Sequence, residues 1–254
     1  MGCGFVATPG ELVKVVAAST GTEEPTVTQH DRNLVIAGLR SKGGRGRSAA
    51  KVTARDAAHL LTALLGSAMV KDSAETVLRY SKTEEHRYFT HRQYNQPDEP
   101  NIYKNIGISE LQILPLGHSF IDSLTAIIGL AAEGKLVKEL GDFYPLGGIN
   151  VILTSPSTHA RITMNLAWRE PKTPRSVQAD YGPYQVPSEE LNNDPRLLRP
   201  SLTRTTEMNA QPILYVGALL AGKLDELPKL DAPVTSDMPP SVEGRLAPYR
   251  NFNR

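Results

Sequence analysis

Residues 28–55 contain the densest group of side chains able to bind phosphate, because cations and glycines cluster there. Seven cations face a single anion, Asp31, in this stretch: Arg32, Arg40, Lys42, Arg45, Arg47, Lys51 and Arg55. The whole chain has a formal net charge of only +1, so the remainder is acidic. Clustered guanidinium and ammonium groups are typical of surfaces that neutralise nucleic-acid phosphates. The charge distribution therefore predicts two parts with different roles.

A predicted helix over 26–37 precedes most of these cations and carries groups able to read base edges. Pro25 suits the first turn, and Gly38 suits the left-handed stop position after the helix. The apolar spacing places four residues inward: Val27, His30, Leu34 and Ala37. The outward face is polar: Thr28, Gln29, Arg32 and Asn33. Such donors and acceptors match base edges in the major groove of B-DNA, which admits one α-helix.

A glycine-rich hairpin is expected directly after this helix. Residues 39–42 and 49–52 can pair around 43–47, where three glycines permit a tight positive-φ turn. Little side-chain bulk would then keep Arg45 and Arg47 from the sugar-phosphate backbone or the minor groove. The candidate DNA-binding residues are Thr26, Thr28, Gln29, Arg32, Asn33, Lys42, Arg45, Arg47 and Lys51.

Two further helices are predicted around these elements. The first has Leu12, Val13, Val15 and Val16 on one face and stops at Gly21. The second opens at Thr53, with Asp56 completing a capping box. Its inward residues are Ala57, Leu61, Leu64 and Leu65. Helix, helix, basic hairpin and helix thus fill about the first 66 residues, which is the outline of a winged helix-turn-helix.

Residues 10–66 also resemble a known family in four segments, namely 26–34, Ala37-Gly38-Leu39, Gly44-Arg45-Gly46-Arg47 and 53–58. They look like winged helix-turn-helix proteins, and more narrowly like DNA-binding proteins of alphaproteobacterial prophages and gene-transfer-type elements. The resemblance implies that 26–37 is the recognition helix and that the glycine-arginine stretch is the wing. It implies double-stranded DNA as the partner.

The sequence as a whole predicts an α+β fold in three parts. These are a DNA-binding domain at 1–70, an α+β oligomerisation or partner domain at 71–224 and a flexible proline-rich tail at 225–254. A long helix is expected at 120–137, and strands at 149–154 and 160–167 form an antiparallel hairpin. Residues 169–200 are expected to be a long excursion. A final helix is expected at 205–220, which Pro212 kinks or starts. The element type of the aromatic region 79–105 stays open.

Signatures of enzymes, metal sites and membrane spans are missing from the sequence. Cys3 is the single cysteine, which excludes an internal disulfide and a cysteine-rich zinc site and favours a reducing cytoplasm. No phosphate-binding loop or His-Glu-x-x-His motif occurs, and Ser119 beside His118 fits a helix start better than a nucleophile. The near-uncharged run 123–132 is about half of the ~20 residues that cross a bilayer. We expect no catalysis, cofactor, metal or membrane.

Together these features predict a sequence-selective, phage-related transcriptional regulator that binds double-stranded DNA, located in the cytoplasm at the nucleoid. A homodimer is expected because one small module buries too little surface for useful specificity. Any small-molecule effector stays open. The alternatives are a phage packaging or assembly factor, a protein-interaction module without nucleic acid, and an RNA-binding protein, which Gly-Gly-Arg-Gly-Arg also suits.

Overall fold

The computed structural model describes residues 7–41, 51–86, 102–104, 106–141, 148–169, 173–182 and 203–227. The helices in these ranges are α1 (Pro9–Thr20), α2 (Glu24–Ile36), α3 (Ala54–Gly66), α4 (Ser73–Tyr80), α5 (Ser109–Gln112), α6 (Phe120–Ala132), α7 (Lys135–Leu140) and α8 (Ala210–Ala221). The strands are β1 (Glu84–His86), β2 (Ile149–Ser155), β3 (His159–Arg169), β4 (Thr173–Gly182) and β5 (Arg204–Asn209). Short 3₁₀ turns occupy Val70–Asp72 and Leu224–Glu226.

The five strands form one antiparallel sheet in the order β1-β4-β3-β2-β5, so the predicted α+β class is confirmed. The predicted hairpin of 149–154 and 160–167 is also confirmed, with Val151 opposite Ile162. Side chains alternate along β2, where Ile149, Val151 and Leu153 are buried and the residues between them are half-buried. One face of the sheet therefore packs against the helices.

Strand β4 lies within the region predicted as an excursion, so that prediction is wrong for Thr173–Gly182. Val177, Ala179 and Tyr181 are buried and alternate with polar residues. This period of two indicates a strand and was present in the sequence. The remaining excursion residues, 170–172 and 183–200, lie outside the described ranges.

The predicted helix at 205–220 is two elements, because Arg204–Asn209 is the strand β5 and α8 begins only at Ala210. Asn209 caps the helix, since its side-chain oxygen accepts from the backbone N–H of Gln211 at 2.9 Å. Pro212 lies in the first turn, where its missing N–H costs little. The sequence predicts that Pro212 either kinks the helix or marks its start, and the second of these roles is confirmed.

The predicted helix at 120–137 is also divided. Gly134 adopts a left-handed conformation with φ of 70°, and this ends the run between α6 and α7. Ser119 and Asp122 form a capping box, which confirms Ser119 as a helix start. The tail predicted at 225–254 falls almost wholly outside the described residues.

The first three helices agree closely with the sequence prediction. Gly21 (φ 67°) ends α1, Gly38 (φ 73°) follows α2, and Thr53 with Asp56 forms the predicted capping box on α3. Ala37 is exposed rather than inward, because α2 ends at Ile36 before Ala37 could face the core. The described ends of the predicted hairpin, 39–41 and 51–52, are not strands. Its central residues lie outside the described part of the chain.

One apolar core connects the helices on both sides of residue 70. Buried side chains of α1, α3, α6, α8 and the sheet form a single cluster, in which α3 packs on α6 and α1 packs on α8. Helices α6 and α8 approach each other closely where Gly217 faces Ala131. A Cβ atom on Gly217 would lie 2.4 Å from the Ala131 Cβ. The N-terminal helices are thus fixed to the rest of the molecule.

Candidate nucleic-acid interface

Helices α1 and α2 follow each other along the chain and are joined by the three residues 21–23. The inner side of α2 buries Val27, His30 and Leu34. Gln29 and Arg32 are exposed, and Ile36 at the end of the same side is 78 % exposed. Spacings of three and four residues place these three on one stripe of the helix. The structure therefore leaves part of the predicted recognition surface open.

The other polar residues predicted on α2 are bonded within the protein. The Thr28 hydroxyl donates to the Glu24 carbonyl at 2.8 Å, and the Asn33 side-chain amide donates to the Val70 carbonyl at 2.7 Å. Gln29 in turn donates to Asn33 at 3.1 Å. Thr26 lines a cavity on the side of α2 that faces β5. Thr26 is thus separated from the exposed stripe of Gln29 and Arg32, whereas Asn33 is bonded both to Gln29 and to Val70.

Of the four cations within residues 28–55 that the structure describes, two are paired with carboxylates. Arg40 forms an ion pair with Asp31 at 2.5 Å, and both side chains are only 10 % exposed. Burial raises the pKa of Asp31 above its usual value, and the Arg40 guanidinium opposes this shift. Arg55 pairs with Asp122 at 3.2 Å in an exposed position. Neither arginine is among the nine candidate residues. Of the candidate cations that the structure describes, Arg32 and Lys51 are both exposed.

The two ends of the basic segment, defined as residues 42–52, are held by one side chain. The Ser41 backbone N–H donates to Asp56 Oδ1 at 3.2 Å, and the Thr53 backbone N–H donates to Asp56 Oδ2 at 2.9 Å. Asp56 is 5 % exposed in the first turn of α3. One carboxylate therefore binds both the residue before the basic segment and the residue after it. Lys42, Arg45 and Arg47 lie between these ends, outside the described residues.

His59, one helical turn beyond Asp56, also fixes this point. Its Nδ1–H donates to the Leu39 carbonyl at 2.6 Å, whereas its Nε2 is buried without a hydrogen-bond partner. Burial is the main cause that lowers the pKa of His59. The imidazole is therefore neutral near pH 7, and it anchors the chain leaving α2 to α3.

Replacing Asn33 by alanine is expected to lower the free energy of unfolding by about 1 kcal/mol, because it removes the hydrogen bond to Val70. Arg32→Ala, on the exposed side of the same helix, is the matched control and is expected to change it by less than about 0.5 kcal/mol. Chemical denaturation of the two variants measures both values. Equal effects would show that the contact to Val70 contributes nothing.

A second polar cluster lies deep in the core, around residues that sequence reasoning did not assign. His118 Nε2 lies 3.1 Å from the Tyr181 hydroxyl, which is 2.9 Å from the Tyr103 hydroxyl and 2.7 Å from Ser123 Oγ. Glu85 lies 3.4 Å from His118 Nδ1. Burial raises the pKa of Tyr103 to about 12. At 2 % exposure or less, His118 and both tyrosines contact no solvent-borne ligand, so the cluster holds β4 to α6.

The described residues limit the other kinds of site. Within them, no group of three His, Cys, Asp or Glu side chains is placed to hold a metal ion. The helices of the same ranges are too short or too polar to cross a bilayer. Comparisons with family models, curated proteins and solved structures give no match to this chain.

Proposed function

We propose that the protein is a transcriptional regulator that binds double-stranded DNA through α2 and the basic segment. The observation that carries this proposal is the Asp56 carboxylate, which holds both ends of the basic segment. Between these two ends the sequence carries four cations and no intervening acid, namely Lys42, Arg45, Arg47 and Lys51. A helix with an exposed polar stripe and an adjacent cationic segment is the arrangement that winged helix-turn-helix proteins use.

Contacts to phosphates and contacts to bases are assigned to different residues. Arg40 and Arg55 are ion-paired, so the proposed phosphate contacts fall on five cations: Arg32, Lys42, Arg45, Arg47 and Lys51. Gln29 is the exposed amide on α2 and is the proposed base reader. Four to five phosphate contacts give an expected slope of log affinity against log salt of about −4.

The double variant Arg45→Ala with Arg47→Ala is expected to weaken binding to every duplex sequence at least about tenfold at 0.1 M salt. Two fewer phosphate contacts also make the salt slope shallower by about 2. Fluorescence anisotropy of labelled duplexes at several salt concentrations measures both quantities. A sequence-dependent loss would instead assign these arginines to base reading.

The matched control removes the same charge from another surface, as Arg79→Ala with Lys223→Ala. Arg79 is 35 % exposed and Lys223 is 60 % exposed, and neither lies near the basic segment in sequence. An equal loss of affinity in this control would assign binding to net charge rather than to the basic segment. Absence of duplex binding by the unaltered protein at low salt would refute the proposed function.

The proposed regulator acts as a homodimer at the nucleoid, without catalysis. One module of this size buries about 600–1,000 Å² of protein surface on DNA, and pairing two modules on spaced half-sites supplies the missing specificity. Light scattering tests the oligomeric state. A dimer supports regulation, whereas a closed ring larger than a tetramer supports the packaging or assembly role.

A further inference from the structure

A cavity of about 550 Å³ lies between the N-terminal helices α1 and α2 and the C-terminal elements β5 and α8. The end of α1 and the start of α2 form one side, the residues 67–70 form the base, and β5 with the start of α8 forms the other side. Cavities of about 300–1,000 Å³ bind small molecules. Its walls are mixed, because Leu64 and Met208 lie among several threonine hydroxyls. Ligands with both apolar surface and hydroxyl groups fit such a lining.

His30 supplies a hydrogen-bond acceptor in this cavity. The residue is 4 % exposed, and its Nδ1 lies 2.8 Å from Ser73 Oγ. The Ser73 hydroxyl donates its own proton to the Val70 carbonyl, so it can only accept from His30. Nδ1 therefore carries the ring proton in the neutral imidazole. The other nitrogen, Nε2, then carries a lone pair that can accept a hydrogen bond from a hydroxyl or an amine.

Arg204 supplies the positive charge. One guanidinium nitrogen donates to the Ser67 carbonyl at 3.3 Å, which leaves the other N–H groups to a ligand. The nearby Glu207 accepts from the Asn150 amide at 2.7 Å. One guanidinium and one carboxylate in the same lining disfavour a multiply charged phosphate and suit a monoanion. A planar carboxylate matches the paired donors of arginine.

We propose that this cavity binds a small hydroxylated carboxylate of the sugar-acid class. The carboxylate of the ligand contacts Arg204, and a ligand hydroxyl donates to His30 Nε2. The remaining ligand hydroxyls bond to the threonine side chains of the lining: Thr22, Thr26 and Thr206.

The ligand also acts as an effector, a step that rests on the proposed DNA-binding function. His30 and Asn33 on α2 both connect to the same point, since Asn33 and Ser73 donate to the Val70 carbonyl. A ligand that contacts His30 and Val70 therefore changes the hydrogen bonds that position α2. Effector coupling of this kind changes affinity by about 5- to 150-fold in known systems.

Isothermal titration calorimetry with D-glucuronate tests the cavity in the full chain without DNA. D-glucose lacks the carboxylate and acetate lacks the hydroxyls, so both are expected to bind at least about tenfold more weakly than D-glucuronate. Nitrogen NMR of the histidine rings supplies a second readout, in which D-glucuronate shifts the Nε2 signal of His30. Binding of D-glucuronate no tighter than that of glucose or acetate would overturn the proposal.

Arg204→Gln is expected to weaken D-glucuronate binding at least about tenfold and to leave glucose binding unchanged. Arg79→Gln, which removes an arginine outside the cavity lining, is the matched control and retains D-glucuronate binding. Undiminished affinity in Arg204→Gln would also overturn the assignment.

Anisotropy with labelled duplex then separates the two proposals. A change in duplex affinity of about fivefold or more when D-glucuronate is added supports the effector role. D-glucuronate binding to a protein that binds no duplex refutes the proposed function alone. Duplex binding that saturating D-glucuronate leaves unchanged refutes the effector role alone.

Discussion

Replacing Gly217 by alanine is expected to lower the free energy of unfolding by about 3 kcal/mol, because α6 and α8 have no room for the added methyl group. That carbon would lie 2.4 Å from the Ala131 Cβ and 2.7 Å from its carbonyl carbon. Backbone atoms cannot rotate away as a long side chain can, so the two helices must separate. For a chain of this size the melting temperature falls by about 8 °C.

Gly129→Ala makes the same chemical change on α6 at a position with no atom within 4 Å of the new carbon. There alanine is expected to raise the free energy of unfolding by about 0.5–1 kcal/mol, because it is the better helix former. Calorimetry or guanidinium unfolding of both variants measures the difference. A stabilising effect of Gly217→Ala would show that the close crossing of α6 and α8 is absent.

Removing the Asp56 carboxylate is expected to have the second largest effect. Asp56→Ala loses the bonds to the backbone N–H groups of Ser41 and Thr53 and the bond from the Thr53 hydroxyl. Two part-buried backbone donors lose a charged acceptor, so we expect a loss of about 2–3 kcal/mol in the free energy of unfolding. On the proposed function, duplex affinity falls at every sequence, since the ends of the basic segment are no longer held together.

Glu11→Ala is the matched control, because Glu11 completes the same kind of capping box on α1 and its hydrogen bonds go to Thr8, within that box. It is expected to cost about 1 kcal/mol and to leave duplex affinity unchanged. Urea unfolding and anisotropy on both variants provide the comparison. If Asp56→Ala retained full duplex affinity while folded, the basic segment would not need its anchored ends, and the main support for the proposed interface would be lost.

Much of the fold was predictable because its signals are local. The capping boxes at Thr53 and Ser119 and the glycine after α1 depend on a few neighbouring residues, and the β2–β3 hairpin follows from alternating apolar residues. Strand β5 was mistaken for helix because it is an edge strand in which Met208 alone is buried. Its polar sequence therefore lacks the apolar alternation of an inner strand.

The candidate site was predictable only in part, because burial depends on distant segments. The exposed Gln29 and Arg32 follow from helical periodicity. Nothing near Asn33 in the sequence indicates that its amide bonds to Val70, 37 residues further along the chain. The cavity is likewise formed by segments as distant as α1 and β5. Ion pairing of Arg40 with Asp31 was also invisible to a count of charges.

Because the core is continuous, the two halves of the chain depend on each other for their packing. Excising the first 70 residues would strip α1 of its packing on α8 and α3 of its packing on α6. The buried leucines and valines of those helices would then face water, at a cost of about 25 cal/mol for each Å² of apolar surface. The N-terminal helices therefore depend on the rest of the chain for their packing, and a cut at residue 70 would expose apolar surface on both pieces.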